Sequence, residues 1–280
     1  EIVTNASLET VVSGAESADG GSGGRQKYDF RRGSPTHRKP LPYICLAPAA
    51  VLLRFFSGCQ MPFDSLTRPA ARPELRYFFD PLCGWCYGFS PVLMRLYEEL
   101  KDAVDFVAHP GGMVVGERVG PLGEKASYIK GALPRLEQMT GVMFGPEYRR
   151  VVEDGSRIQN SVPPSRALVV LSRHDGHDGR TVPFAHDLLE AGFAHGYDLA
   201  DPAVLLEIAA RYDLAEPAFL TSFTDPDTAA YTQAGFTAAS QIGITGFPTL
   251  VLRQGNQGTI VARGWAPHEQ VRRAVVEGLG

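Results

Sequence analysis

Residues 77–100 read YFFDPLCGWCYGFSPVLMRLYEEL. The aromatic and aliphatic run at 75–79 suits a buried strand, and Asp80-Pro81 gives it a turn to stop on. From Cys86 onward Phe89, Leu93, Leu96, Tyr97 and Leu100 recur at helical spacing, with Arg95, Glu98, Glu99 and Lys101 on the opposite face. Pro91 falls inside this pattern and is expected to kink the helix rather than end it. Residues 104–109 then read as a second short strand, followed by Pro-Gly-Gly at 110–112. Strand, helix and strand within about 35 residues is the size of a right-handed parallel crossover. Cys83 and Cys86 stand at its first corner, where three readings are open: a redox pair, half of a zinc site, or small residues that pack well.

Outward from this corner, the chain of 280 residues is 44% hydrophobic, enough for a substantial core. A net charge of −4 gives no basic field of the kind that draws proteins to nucleic acid or anionic membranes. Four cysteines, two of them closely spaced, do not make a disulfide framework. The longest apolar run, 41–56, is interrupted by Arg54 and is too short to span a bilayer, so no integral membrane segment is expected.

Residues 1–74 differ from the rest of the chain. They are Gly/Ser-rich around SADGGSGGRQ, then basic and proline-containing in RRGSPTHRKPLP, and are expected to be linker, unfolded sequence or a non-native extension. The first methionine is Met61, so a start near it would give a cytoplasmic protein. The alternative is an exported or lipid-anchored one, with residues 31–59 as a signal ending at Cys59; Arg54 and Phe56 fit that pattern poorly. The stretch 116–243 reads as a series of helices, the clearest start being LADPAVLLEIAARY, where Asp201 can cap free amides and Pro202 stands where an N–H is not needed. Others are expected over 133–140, 165–173, 182–194 and 228–241. The run PTLVLRQGNQGTIVARG at 248–264 is two strand-forming segments around a Gly-Asn-Gln-Gly turn, and a terminal helix is expected over 267–277. The order is β-α-β, a long helical block, then β-β-α.

A Cys-x-x-Cys pair near a β-α-β pattern is the cue for dithiol redox chemistry. At a strand-to-helix corner, amides of the first helical turn point at Cys83 and favour its thiolate, making it the nucleophile. Cys86, one turn later on the same face, can attack a mixed disulfide on Cys83, and is expected to be the more buried and less acidic of the two. The intervening Gly84-Trp85 supplies no basic side chain. Far away in sequence, GITGFPTLV at 243–251 has a proline opening a strand, compatible with a cis Phe247–Pro248 bond facing Cys83.

Taken together these residues resemble the DsbA-like branch of the thioredoxin superfamily, and within it the FrnE-like bacterial thiol oxidoreductases. The resemblance rests on YFFDPLCGWCYGFSP, the Pro-Gly-Gly after the second strand, the long helical insertion and GITGFPTLV, and covers residues 75–280. It implies an α/β thioredoxin fold with a helical insertion at about 116–243. It further implies a protein disulfide oxidoreductase or isomerase with Cys83 as attacking cysteine, Cys86 as resolving cysteine and Pro248 as the cis-proline. The dithiol would be its own redox centre with no cofactor, glutathione serving at most as a thiol substrate, and the partners would be protein or small-molecule thiols and disulfides rather than nucleic acid. Residues 1–74 have no counterpart in that pattern, and Gly84-Trp85 differs from the dipeptides of well-known oxidants.

Each further residue has a plainer reading beside its functional one. Asp80 is a turn residue or a proton acceptor for the thiols. Trp85 and Phe247 are expected beside the thiols and in position to contact substrate, with packing as the alternative; Trp85 is expected to be exposed. The sequence SRHDGHDGR at 172–180 suits a solvated loop better than a metal cluster, Cys45 and Cys59 are too far apart to complete a zinc site, and no metal is expected. Two other functions fit the architecture: a glutathione-dependent isomerase of the 2-hydroxychromene-2-carboxylate type, which typically has serine where Cys83 stands, and a chaperone-like binding module using an apolar groove near Trp85 and Phe247.

Overall fold

The structure, a computed structural model, describes residues 27–29, 70–174 and 179–280. Its centre is a five-stranded mixed sheet. The strands are β1 (Lys27–Asp29), β2 (Ala70–Phe79), β3 (Asp105–Pro110), β6 (Thr249–Gly255) and β7 (Gln257–Arg263), in the spatial order β1-β7-β6-β2-β3. β2 and β3 run parallel, joined over helix α1 (Gly84–Leu100), while β6 and β7 form the antiparallel hairpin. Helix α9 (His268–Leu279) closes the chain. The β-α-β and β-β-α halves meet where β2 pairs antiparallel with β6, which sets Tyr77 opposite Leu250 and Phe78 opposite Thr249.

Between the halves lies the insertion. It carries helices α2 (Ala126–Thr140), α3 (Pro146–Asp154), α4 (Val162–His174), α5 (Thr181–Phe193), α6 (Pro202–Ala210), α7 (Glu216–Thr224) and α8 (Pro226–Gln241), with a small antiparallel pair of β4 (Gly120–Pro121) and β5 (Ile158–Gln159). The cap expected at the start of α6 is present: the Asp201 carboxylate accepts from the Ala203 amide at 2.9 Å.

The second half of β2, residues 75–79, is buried on both faces, Arg76 included. Leu75, Tyr77 and Phe79 join the main core with Phe89, Leu93 and Leu96 of α1, while Phe78 packs on the other face with Ala239, Ile244 and Val251. The helical spacing of α1 therefore places its apolar stripe on the sheet, and the helix runs unbroken past Pro91.

Several boundaries differ from the sequence reading. β2 begins at Ala70, not at Leu75, because the ladder with β6 shifts register between Ala70 and Glu74; the N–H that Pro73 lacks falls in that irregular stretch. Lys27–Asp29 pairs with β7, so part of the segment expected to stand apart from the fold is a sheet edge. α2 starts at Ala126 and carries Pro134 within it, and α3 and α7 stand in addition to the expected helices. Of the remaining residues before 70, the extension, the possible signal, Cys45 and Cys59 lie outside the described residues, as do Asp175, His177 and Asp178. No helix among the described residues is long and apolar enough to cross a membrane.

Candidate active site

At the C-terminal end of β2 the chain turns on Asp80, whose carbonyl accepts from the Cys83 amide at 3.0 Å, and α1 begins at the residue after Cys83. Cys83 is the N-cap of α1, extended at φ −95° and ψ 113°, and its carbonyl accepts from the amides of Cys86 (3.0 Å) and Tyr87 (3.1 Å). The pair therefore straddles the first turn, and both cysteines are free thiols.

Cys83 is 3% exposed and Cys86 is fully buried. The ordering matches the sequence reading, although Cys83 is itself well covered. Burial pushes the Cys86 thiol well above the ordinary cysteine range, and its hydrogen bond with Cys83, that neighbour's charge and the Asp80 charge act in the same direction. Gly84 and Gly88 let a helix approach closely: a Cβ at Gly84 would stand 3.2 Å from Leu136, and one at Gly88 would stand 2.6 Å from Thr140. The C-terminal end of α2 thus lies against the turn that bears the thiols. Tyr87 leaves this turn to enter a cluster with Phe144, Phe193 and Tyr148, and its hydroxyl donates to the Met143 carbonyl at 3.1 Å.

Across from the pair, the Phe247–Pro248 peptide bond is cis, and the Phe247 carbonyl lies 3.8 Å from the Cys83 sulfur, within thiol hydrogen-bond reach. Two segments 164 residues apart in sequence therefore meet at the sulfur. Phe247 is half-buried and touches both hydrophobic clusters. Trp85 is also half-buried and packs on the main core rather than standing exposed, because the first turn of α1 is tucked beneath the insertion.

Asp80 is fully buried. One carboxylate oxygen accepts from the Leu82 amide (2.9 Å) and the Ser161 hydroxyl (2.8 Å), and the other accepts from the Met113 amide (2.6 Å). Burial raises its carboxyl above the ordinary aspartate range despite these three donors and the Arg118 charge. Asp80 serves as a turn residue through Leu82 and also lies within electrostatic reach of Cys86. Sequence reasoning misses Ser161 and Met113, which complete its shell; nothing at position 161 announces a partner 81 residues earlier. Tyr77 reads only as strand core in the sequence, yet its buried hydroxyl donates to the Cys86 carbonyl at 3.5 Å, and burial followed by the charges of Cys86 and Cys83 pushes the phenol well upward. Among the described residues no group of three or more His, Cys, Asp or Glu side chains is placed to hold a metal ion.

A buried dithiol at a strand-to-helix corner, faced by a cis X-Pro segment, is the arrangement for which the comparison with protein families is decisive. The model of the DSBA-like thioredoxin domain matches residues 74–275. The chain belongs to that family. Comparison with curated proteins gives no match. Among solved structures, a candidate protein disulfide isomerase from Nitrosomonas europaea is 27% identical, with a TM-score of 0.64 over 74% of this chain and 98% of that one. The cytosolic disulfide reductase DsbM from Pseudomonas aeruginosa is 28% identical, with a TM-score of 0.61 over the same shares of the two chains. A second structure of DsbM, with GSH, is 27% identical and gives a TM-score of 0.58, again over 74% of this chain and 98% of that one. The DSBA-like match covers both halves of the sheet and the whole insertion, so the fold expected from the sequence, a thioredoxin fold interrupted by helices, is the fold of this chain.

Proposed function

We propose that this DSBA-like protein is a thiol-disulfide oxidoreductase that works by dithiol-disulfide exchange through Cys83 and Cys86. The observation that carries the reading is the meeting of the two thiols on the first turn of α1 with the Phe247 carbonyl, 3.8 Å from the Cys83 sulfur. In the reducing direction the Cys83 thiolate attacks one sulfur of a substrate disulfide. A Cys83–substrate bond forms, the substrate S–S bond breaks, and the departing sulfur leaves as a thiolate that takes a proton. Cys86 then loses its proton and attacks the Cys83 sulfur, closing the internal disulfide and releasing the second substrate thiolate. Two electrons have passed from the dithiol to the substrate.

A thiol as deeply buried as Cys86 needs a base for its step. Asp80 is assigned that role, since a carboxyl held above its ordinary range is better matched to accept a proton near neutral pH. Trp85 and Phe247 are assigned to substrate contact and Pro248 to shaping the segment that faces Cys83.

No cofactor enters the scheme. Two small thiols restore the dithiol and leave as one disulfide, and glutathione is proposed for that part, a reading supported by the DsbM structure with GSH. The partners are accordingly protein or small-molecule thiols and disulfides. A cytoplasmic location, which favours a reduced pair, is supported by the 28% identity to a cytosolic reductase. The test is reduction of an aromatic model disulfide by the purified protein with glutathione in excess, compared with Cys83→Ser. Turnover should vanish in the variant, and turnover that survives it would remove the mechanism.

A further inference from the structure

The Pro-Gly-Gly at the end of β3 has no part in the exchange scheme, yet it is among the most constrained backbone segments near the thiols. The Gly111 amide donates to the Phe79 carbonyl at 2.7 Å, the Gly112 carbonyl accepts from Arg118 at 3.0 Å, and the next amide, that of Met113, donates to Asp80 at 2.6 Å. Gly112 is in the left-handed region at φ +68°, and a Cβ on it would stand 2.7 Å from the Phe236 ring. The loop is thus pinned on both sides of Gly111.

Against this fixed backbone lies the tip of the Phe247 ring. A Cβ on Gly111 would stand 1.8 Å from Cζ, 2.1 Å from Cε1 and 2.8 Å from Cε2, so even a methyl group would occupy the space the ring fills. The backbone bonds at Gly111 and Met113 resist a retreat of the loop, so it is the ring that shifts. In its present seat the ring joins the main core to the Phe78 cluster on the opposite face of the sheet, contacts that it gives up on moving. The residues around Phe247 are tied elsewhere. The Gly264 amide donates to the Pro248 carbonyl at 2.8 Å, and the Thr249 hydroxyl donates to the Gly246 carbonyl at 2.8 Å. The Phe247 peptide lies between these ties, and its ring is the anchor on the Gly111 side.

We infer that Gly111 is a positioning residue: it forms the slot that seats the Phe247 ring, and through that ring it sets the Phe247 carbonyl against the Cys83 sulfur. The absence of a side chain at 111 is therefore a requirement of the exchange site as well as of the turn. The inference rests on the exchange reading of Cys83 and Cys86. Close-packed surroundings transmit such a displacement, and a misplacement of about 1 Å at a reacting group can cost on the order of a hundredfold in rate.

The test is a cycle of four proteins: wild type, Gly111→Ala, Phe247→Ala and the double variant. It is read by kcat/KM for Cys83-dependent reduction of the aromatic disulfide, and by Tm. Gly111→Ala should lower kcat/KM by about tenfold or more. The double variant should be no slower than Phe247→Ala alone, because the added methyl group then has no ring to displace. A purely structural role for Gly111 would instead make the two losses multiply, and that result, or a Gly111→Ala rate within about twofold of wild type, overturns the assignment. If Gly111→Ala does not fold, the double variant decides: recovery of the fold supports a clash with the ring, and failure of both overturns it. Absence of any Cys83-dependent turnover in the wild type overturns the exchange reading itself, which separates that failure from failure of the slot.

Discussion

At the C-terminal end of β2 a single carboxylate, Asp80, is fully buried and accepts three hydrogen bonds from Leu82, Met113 and Ser161. Toward the other end of the same strand a carboxylate oxygen of Glu74 faces two buried guanidiniums, Arg76 at 2.7 Å and Arg253 at 3.4 Å. The alternation of β2 and its register with β6 put these three side chains on one face, Glu74 lying directly across from Arg253. Burial lowers Arg76 to about 10, with Glu74 opposing the shift and Arg253 adding to it, so Arg76 stays charged at neutral pH; burial lowers Arg253 as well, again against Glu74. One end of the strand thus holds fixed opposite charges together. The other holds one carboxyl whose protonation the fold itself makes easier. The first arrangement bears on stability and the second on the proton transfer proposed for Asp80, and the two can be separated by experiment.

The largest effect is expected at the Glu74 end. Glu74→Gln removes the negative charge that both guanidiniums contact and should lower unfolding free energy by about 3 kcal/mol in urea titrations, while exchange by the folded protein stays within about twofold of wild type. If it slowed exchange as much as a change at Asp80, the division between the two ends would be lost. Next is Asp80→Asn, which keeps the shape of the side chain and removes its ability to take a proton. Release of product from the Cys83 mixed disulfide should slow by about a hundredfold, followed by stopped-flow absorbance of the departing thiolate.

The same variant sharpens the comparison through pH. A carboxyl raised above its unfolded value binds its proton more tightly when folded, so it favours the fold at low pH. That contribution is lost as pH rises from the ordinary aspartate range through the raised value. Unfolding free energy of wild type relative to Asp80→Asn should therefore fall across that interval and level off above it, and a rise instead would contradict the assigned direction. The smallest effect serves as a control in the insertion: Asp201→Ala removes one helix cap and should cost about 1 kcal/mol with no change in exchange by the folded protein.

The elements that hold the thiols are legible in the sequence because their information is local. The run Leu75 to Phe79, the turn at Asp80-Pro81 and the stripe Phe89-Leu93-Leu96 each contain both their own reason and their own boundary. Phe247-Pro248 is legible as well, although only the folded sheet brings it to 3.8 Å from Cys83. Pairings made across the insertion cannot be read this way. Ser161 looks like any serine before a helix, and Gly111 looks like a turn glycine, until the Phe247 ring is placed against it. Pro134 and Pro73 mislead for the opposite reason. Each is a strong local breaker that its surroundings accommodate, one inside α2 and the other in the register shift of β2. The helix α3 does carry a usable mark, Pro146 at its first turn and Gly155 closing it at φ 70°.

The distance along the chain between Cys83 and Phe247 also bears on the order in which the site is made. Synthesis proceeds from the N-terminus, so the corner bearing Asp80, Cys83 and Cys86 leaves the ribosome first. Ser161 comes 81 residues after Asp80, and Phe247 comes 164 residues after Cys83. At roughly 5–20 residues per second the thiols of a nascent chain wait on the order of ten to thirty seconds for the carbonyl that faces them. During that interval they are an ordinary cysteine pair, open to whatever oxidants and thiols surround the ribosome.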